Sequence, residues 1–153
     1  MAEAVRQILE GQVAELDDLR RRGLFSTEEI RLIVRRRKAF EYALRRRQTL
    51  KSDFLKYIEY EMNVEQLRKQ RKIERGLKLK NTPSEYAIVR RLHFTFQRAL
   101  QKFKGDIRLW VQYFDFCVQT DSRKILARTY AQAIQYHPRN SGKSKIFHLH
   151  GTL

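Results

Sequence analysis

Residues 105–134 read GDIRLWVQYFDFCVQTDSRKILARTYAQAI. Trp110, Tyr113 and Phe116 stand three apart, which on a helix places an aromatic ladder along one face. Gly105-Asp106 reads as a C-cap followed by an N-cap, and Thr120-Asp121-Ser122 closes this helix and starts another. That next helix holds Ile125, Leu126, Tyr130, Ala133 and Ile134, and Pro138 prevents its continuation. Its pattern has a counterpart 34 residues upstream, Phe96-x-x-Ala99-Leu100 against Tyr130-x-x-Ala133-Ile134, a large ring beside a small residue where a neighbouring helix can approach closely. Thirty-four residues is the length of one helix-turn-helix repeat. A first-element ladder also recurs, with Phe54, Tyr57 and Tyr60 at the same three-residue step, although 56 residues before Trp110. A hairpin with an apolar face it cannot bury alone stacks on its neighbours into a continuous core. The expected fold is therefore all-α, a helical-hairpin α-solenoid with an N-terminal helical pair. Its expected repeat core is Phe54, Tyr57, Phe96, Leu100, Trp110, Tyr113, Phe116, Tyr130 and Ile134.

Outward from this stretch, the N-terminal half is helical too. Val5, Ile8, Leu9, Val13, Leu16 and Leu19 recur at helical spacing and predict one helix over 2–22, its cationic last turn ending at Gly23. Ser26 and Glu29 are spaced as a capping box, with Phe25 and Ile30 as the hydrophobic staple. The helix they open carries Ile30, Ile33, Val34, Phe40 and Leu44 on one side, and Arg35, Arg36, Arg37, Lys38, Arg45, Arg46 and Arg47 elsewhere. A third helical stretch begins near Ser52 and carries Phe54, Tyr57, Ile58, Leu67, Ile73 and Leu77; Asn63 and Gly76 leave open whether it is one helix. Thr82-Pro83-Ser84-Glu85 predicts a helix over 83–104, with Thr as N-cap, Pro at the first position and Glu at the third. The expected divisions are a basic helical pair over 1–50, helical repeats over 51–138 and a loosely ordered tail over 139–153.

Composition agrees with helix. The 153 residues include only 6 Gly and 2 Pro, too few for the turns of an all-β fold, and 42% are hydrophobic, enough for a real core. The single cysteine, Cys117, closes no internal disulfide and makes no Cys-based zinc site, which fits a reducing compartment. The first dozen residues carry no apolar signal-peptide core, and no apolar run exceeds four residues, so neither secretion by signal peptide nor a membrane span is expected.

Charge points to the partner class. The formal net charge is +16, spread as 21 basic against 13 acidic residues over 1–80 and 12 against 4 over 81–153. Such a balance favours polyanions, chiefly nucleic acid, with acidic protein surfaces as the competing class. The densest clusters, Arg35–Lys38 and Arg45–Arg47, read as a phosphate-binding face or a nuclear-import signal, against a merely solvated face. Lys69, Arg71 and Lys72, with Arg75, form a weaker cluster that contacts RNA or protein, or simply solvent.

Chemistry finds little support. Gly142-Lys143-Ser144 resembles the end of a phosphate-binding P-loop, but His137 stands where the first glycine is needed and no strand precedes it. His148-x-His150 lacks a third and fourth metal ligand. No serine has nucleophile-elbow glycines and no triad or carboxylate dyad can be argued, so no catalytic, cofactor or metal site is expected. Cys117 among Phe114, Phe116 and Val118 reads as a small buried hydrophobe.

Two resemblances add to this reading. The Trp110-x-x-Tyr113-x-x-Phe116 helix with its aromatic, Ala, Leu partner resembles the half-a-tetratricopeptide (HAT) repeat of RNA-processing proteins, a relative of the TPR. The stretches Glu15–Ile30, Arg35–Tyr42 and Asp53–Glu61 are similar to the N-terminal part of the U3 small nucleolar RNA-associated protein 6 family, over about residues 1–138. That family's members continue through further HAT repeats, a pattern from which residues 139–153 depart. The resemblance implies a non-enzymatic scaffold of the nucleolar small-subunit processome, acting in pre-rRNA processing and 18S rRNA maturation. It implies WD-repeat proteins of the same subcomplex as partners, direct or indirect contact with U3 snoRNA and pre-rRNA, and a place in the nucleolus of the nucleus. It implies no membrane and no small-molecule substrate. The competing reading is a free-standing basic RNA-binding helical-repeat domain.

Overall fold

A computed structural model describes residues 2–78 and 82–136. Among the described residues it is all-helical: α1 (Ala2–Glu10), α2 (Val13–Arg21), α3 (Thr27–Leu44), α4 (Lys51–Glu74), α5 (Ala87–Lys102), α6 (Ile107–Gln119) and α7 (Arg123–Tyr136). Helices pack as pairs, α3 on α4 and α6 on α7 among them, the building unit of an α-solenoid. The expected tail over 139–153, the P-loop-like stretch and the three histidines from His137 onward lie outside the described residues. The chain packs as two units that divide between Thr95 and Phe96, inside α5.

In the first unit α3 is central, packed against α1, α2 and α4. Its start is built as the sequence predicts. The Glu29 N–H donates to Ser26 Oγ at 3.2 Å and the Ser26 N–H donates to Glu29 Oε1 at 3.0 Å. At its other end the Thr49 hydroxyl donates to the Leu44 and Arg46 carbonyls, which the helix leaves without partners of its own. The uncertain third stretch is a single helix, α4, running through Asn63. It ends at Gly76, whose φ of +62° suits a left-handed residue closed by the Leu77 N–H donating to the Lys72 carbonyl.

Two helix predictions are corrected. The helix expected over 2–22 is broken at Gly11-Gln12 into α1 and α2, where the poorest ordinary helix former meets a buried Gln12 whose side chain is claimed by α3. The helix expected from Pro83 begins instead at Ala87. Ser84 donates through both its N–H and its hydroxyl to the buried Asp18 carboxylate, while Glu85 turns to Arg68 and Lys72 and so does not close a capping box. Tertiary partners outbid local capping there.

The second unit is aromatic. On α6, Tyr113 stacks on Phe96 of α5 at 4.9 Å between ring centroids, and Phe116 lies 5.4 Å from the same ring. Phe114, pointing the other way, stacks on Tyr130 of α7 at 4.2 Å. The two rings that stand 34 residues apart in sequence thus clasp α6 between them. Leu100, Trp110, Tyr113, Phe116 and Ala133 are buried, and Tyr130 and Ile134 are partly covered. The Trp110 indole N–H donates to the Lys104 carbonyl at 2.8 Å. Asp106 caps α6 by accepting from the Leu109 N–H, and Asp121, at φ +52°, closes it with the Ser122 N–H donating to the Cys117 carbonyl.

Candidate functional site

The basic helix α3 is two-sided. Its inward side holds Ile33, Arg37, Glu41 and Leu44, all buried. Arg37, placed by the sequence in the surface cluster, is 1% exposed and faces α2 and α4. Its Nε donates to Glu61 Oε1 at 2.6 Å and its Nη2 to Glu61 Oε2 at 3.0 Å, a bidentate pair. Nη2 also reaches Glu15 at 3.1 Å, and Nη1 donates to the Gln12 side-chain oxygen at 2.7 Å. Arg91 of α5 completes the network with two donations to Glu15, at 3.0 and 2.7 Å.

Electrostatics follow from this packing. Burial works against the Arg37 cation, but Glu61 and Glu15 outweigh it and raise its pKa. Burial alone lifts the Glu15 carboxyl, yet Arg37 and Arg91 hold it below the usual carboxylate range. The buried Tyr57 hydroxyl, stacked through its ring on Phe40 at 5.0 Å, is pushed up by burial and by Glu61 and Glu41. These groups stay in one protonation state across the neutral range, so the network is a structural clasp. Helical phase carried the missing signal: Ile30, Ile33, Arg37 and Leu44 share one stripe at steps of three, four and seven.

The outward side keeps only part of the remaining cluster. Arg35, Arg36 and Lys38 are exposed on it, whereas Arg45, Arg46 and Arg47, expected on the same helix, lie past its end at Leu44, Arg45 half-buried and the other two exposed. Glu41 is the sole carboxylate between Ile30 and Leu50, and it is buried, so that stretch shows cations and no acid to solvent. The second predicted cluster is largely consumed by structure. Arg71 pairs with Glu29 at 2.8 Å, donates to the Leu24 carbonyl and lies 5.0 Å over the Phe25 ring. Lys72 pairs with Glu85, which leaves Lys69 exposed on α4. Cys117 is buried, and burial pushes its thiol up to about 11, away from thiolate chemistry. A depression of ≈ 440 Å³ in the second unit has Trp110 and Tyr113 in its lining with Gln97, Gln101, Arg128 and Gln132. Among the described residues no group of three or more His, Cys, Asp or Glu is placed to hold a metal, and no helix is long and apolar enough to cross a membrane.

The comparisons with known proteins converge. A family model described as U3 small nucleolar RNA-associated protein 6 matches residues 9–91. The chain is 40% identical over 141 residues, 92% of its length, to U3 small nucleolar RNA-associated protein 6 of Schizosaccharomyces pombe, covering 29% of that protein. It is 35% identical over 137 residues, 90% of its length, to the Homo sapiens homolog, covering 23% of it. The chain therefore spans between a fifth and a third of the length of these relatives.

Proposed function

We propose, from the premise that this chain belongs to the U3 small nucleolar RNA-associated protein 6 family, that it is a non-catalytic scaffold segment of the nucleolar small-subunit processome acting in pre-rRNA processing and 18S rRNA maturation. The observation that carries the reading is 40% identity across 92% of the chain to a protein named for U3 snoRNA association. The paired helices are read as HAT repeats whose aromatic clasps keep them rigid, so that their outer surfaces grip partner segments, WD-repeat processome proteins first among them. The exposed cations of α3 and of the turn after it, Arg35, Arg36, Lys38, Arg46 and Arg47, attract U3 snoRNA or pre-rRNA, or serve nuclear import. The nucleolus is the corresponding place of work.

Affinity purification of the tagged 153-residue chain, with protein and RNA partners both identified, tests this. Co-recovery of WD-repeat processome subunits with U3 RNA is the expected result. Recovery of bulk RNA or chaperones alone overturns the scaffold assignment for these residues.

A further inference from the structure

Helical phase orders the outward face of α3 more finely than its charge count. At 3.6 residues per turn, Arg31, Arg35, Lys38 and Tyr42 fall within about 60° of arc, in one line running about 16 Å along the axis, and Arg46 follows two residues past the end of α3. Steps of three or four residues separate neighbours in that line by about 5–6 Å. The four cations are exposed, Tyr42 is half-exposed, and among the described residues none of the five side chains is engaged in a hydrogen bond, ion pair or ring contact. Arg36 lies on a separate flank, near Tyr60.

We propose that this line is a track for single-stranded RNA, in which Arg31, Arg35, Lys38 and Arg46 meet successive phosphates and the Tyr42 ring stacks on a base. The proposal deepens the reading above and rests on it. Charge complementarity selects a polyanion, since the face between Ile30 and Leu50 presents no carboxylate. The unpartnered ring in the middle of the cations selects a single strand, because a free base offers a π-face that a duplex hides in its stack. An acidic peptide satisfies the cations and leaves Tyr42 idle. Recognition is tolerant of sequence, as backbone contacts and stacking carry no base-edge code.

The test uses the full purified chain and a labelled oligouridine of about ten nucleotides, titrated at several salt concentrations. Binding is expected, with an affinity that falls steeply with salt. The variant Arg31→Gln/Arg35→Gln/Lys38→Gln/Arg46→Gln should flatten the logarithmic salt slope by about 3, at about 0.7 per lost phosphate contact. Tyr42→Ala should weaken binding about tenfold and Tyr42→Phe should not. All these residues face outward, and circular dichroism of each variant verifies the helix content. Equal binding of a duplex or of polyglutamate, a wild-type salt slope in the quadruple variant, or indifference to Tyr42→Ala overturns the track. Purifying partners with the quadruple variant separates the two readings. Loss of oligouridine binding with WD-repeat subunits still recovered supports the track and leaves the scaffold assignment standing. A wild-type chain that recovers the subunits but binds no oligouridine overturns the track alone.

Discussion

The two units solve the same problem, holding helices together, with opposite chemistry. Residues 2–95 place Arg37, Glu15, Glu61 and Arg91 at the meeting of α2, α3, α4 and α5, whereas residues 96–136 clasp α6 between Phe96 and Tyr130. Ring stacking tolerates sliding and is built from surface that leaves water willingly. A buried bidentate ion pair tolerates little displacement, because each buried charge is costly once its partner moves. The charged clasp therefore fixes the register of α3, and with it the direction in which its outer cations point.

That contrast can be broken most forcefully at Arg37. Arg37→Met leaves Glu61 without its partner and Glu15 with Arg91 alone, and should cost about 3–5 kcal/mol in urea unfolding. The double variant Arg37→Met/Glu61→Leu should recover most of that loss. A single variant within about 1 kcal/mol of wild type contradicts the clasp. In the aromatic unit a corresponding change is milder. Phe114→Leu keeps an apolar side chain but loses the ring pair with Tyr130, for about 1–2 kcal/mol, read through the fluorescence of Trp110, the chain's single tryptophan. A drop as large as that of Arg37→Met erases the distinction.

Acid sharpens the comparison with a smaller effect. Glu15 and Asp18 are held below their ordinary values of 4.5 and 3.8, where burial is outweighed by Arg37 and Arg91 for the first and by Ser84 and Arg22 for the second. Burial lowers His93 from 6.5. For all three the unfolded chain binds more protons between the folded and unfolded values, so stability rises with pH through that window. The contribution is complete above about 6.5 and is lost in stages on acidification, His93 first and the carboxyls below 4.5. Amide protection factors in residues 2–95, exchange rates divided into the intrinsic rate at each pH, should therefore fall as pH drops from 7 to 4 before Trp110 fluorescence changes, and His93→Gln should remove the upper stage. Fluorescence changing first contradicts the assignment of acid sensitivity to the charged unit.

Much of this was legible in the chain itself. The capping box at Ser26 and Glu29, the left-handed end at Gly23, the Asp106 cap and the aromatic steps of α6 depend on neighbours within one or two helical turns, so spacing alone reveals them. Repetition of Phe96 and Tyr130 at 34 residues carried the hairpin pairing. Long-range partners were not legible. Gln12, Glu15 and Arg37 meet across more than twenty residues, and Ser84 reaches Asp18 across 66. The broken first helix and the delayed start of α5 both follow from such pairs. Local sequence determined that this protein is helical, basic and built of aromatic hairpins, because those properties are set by side-chain type and spacing. Only the tertiary structure decided which arginine of the cluster is core and which are surface, because a charge is buried only where carboxylates from other helices arrive to meet it.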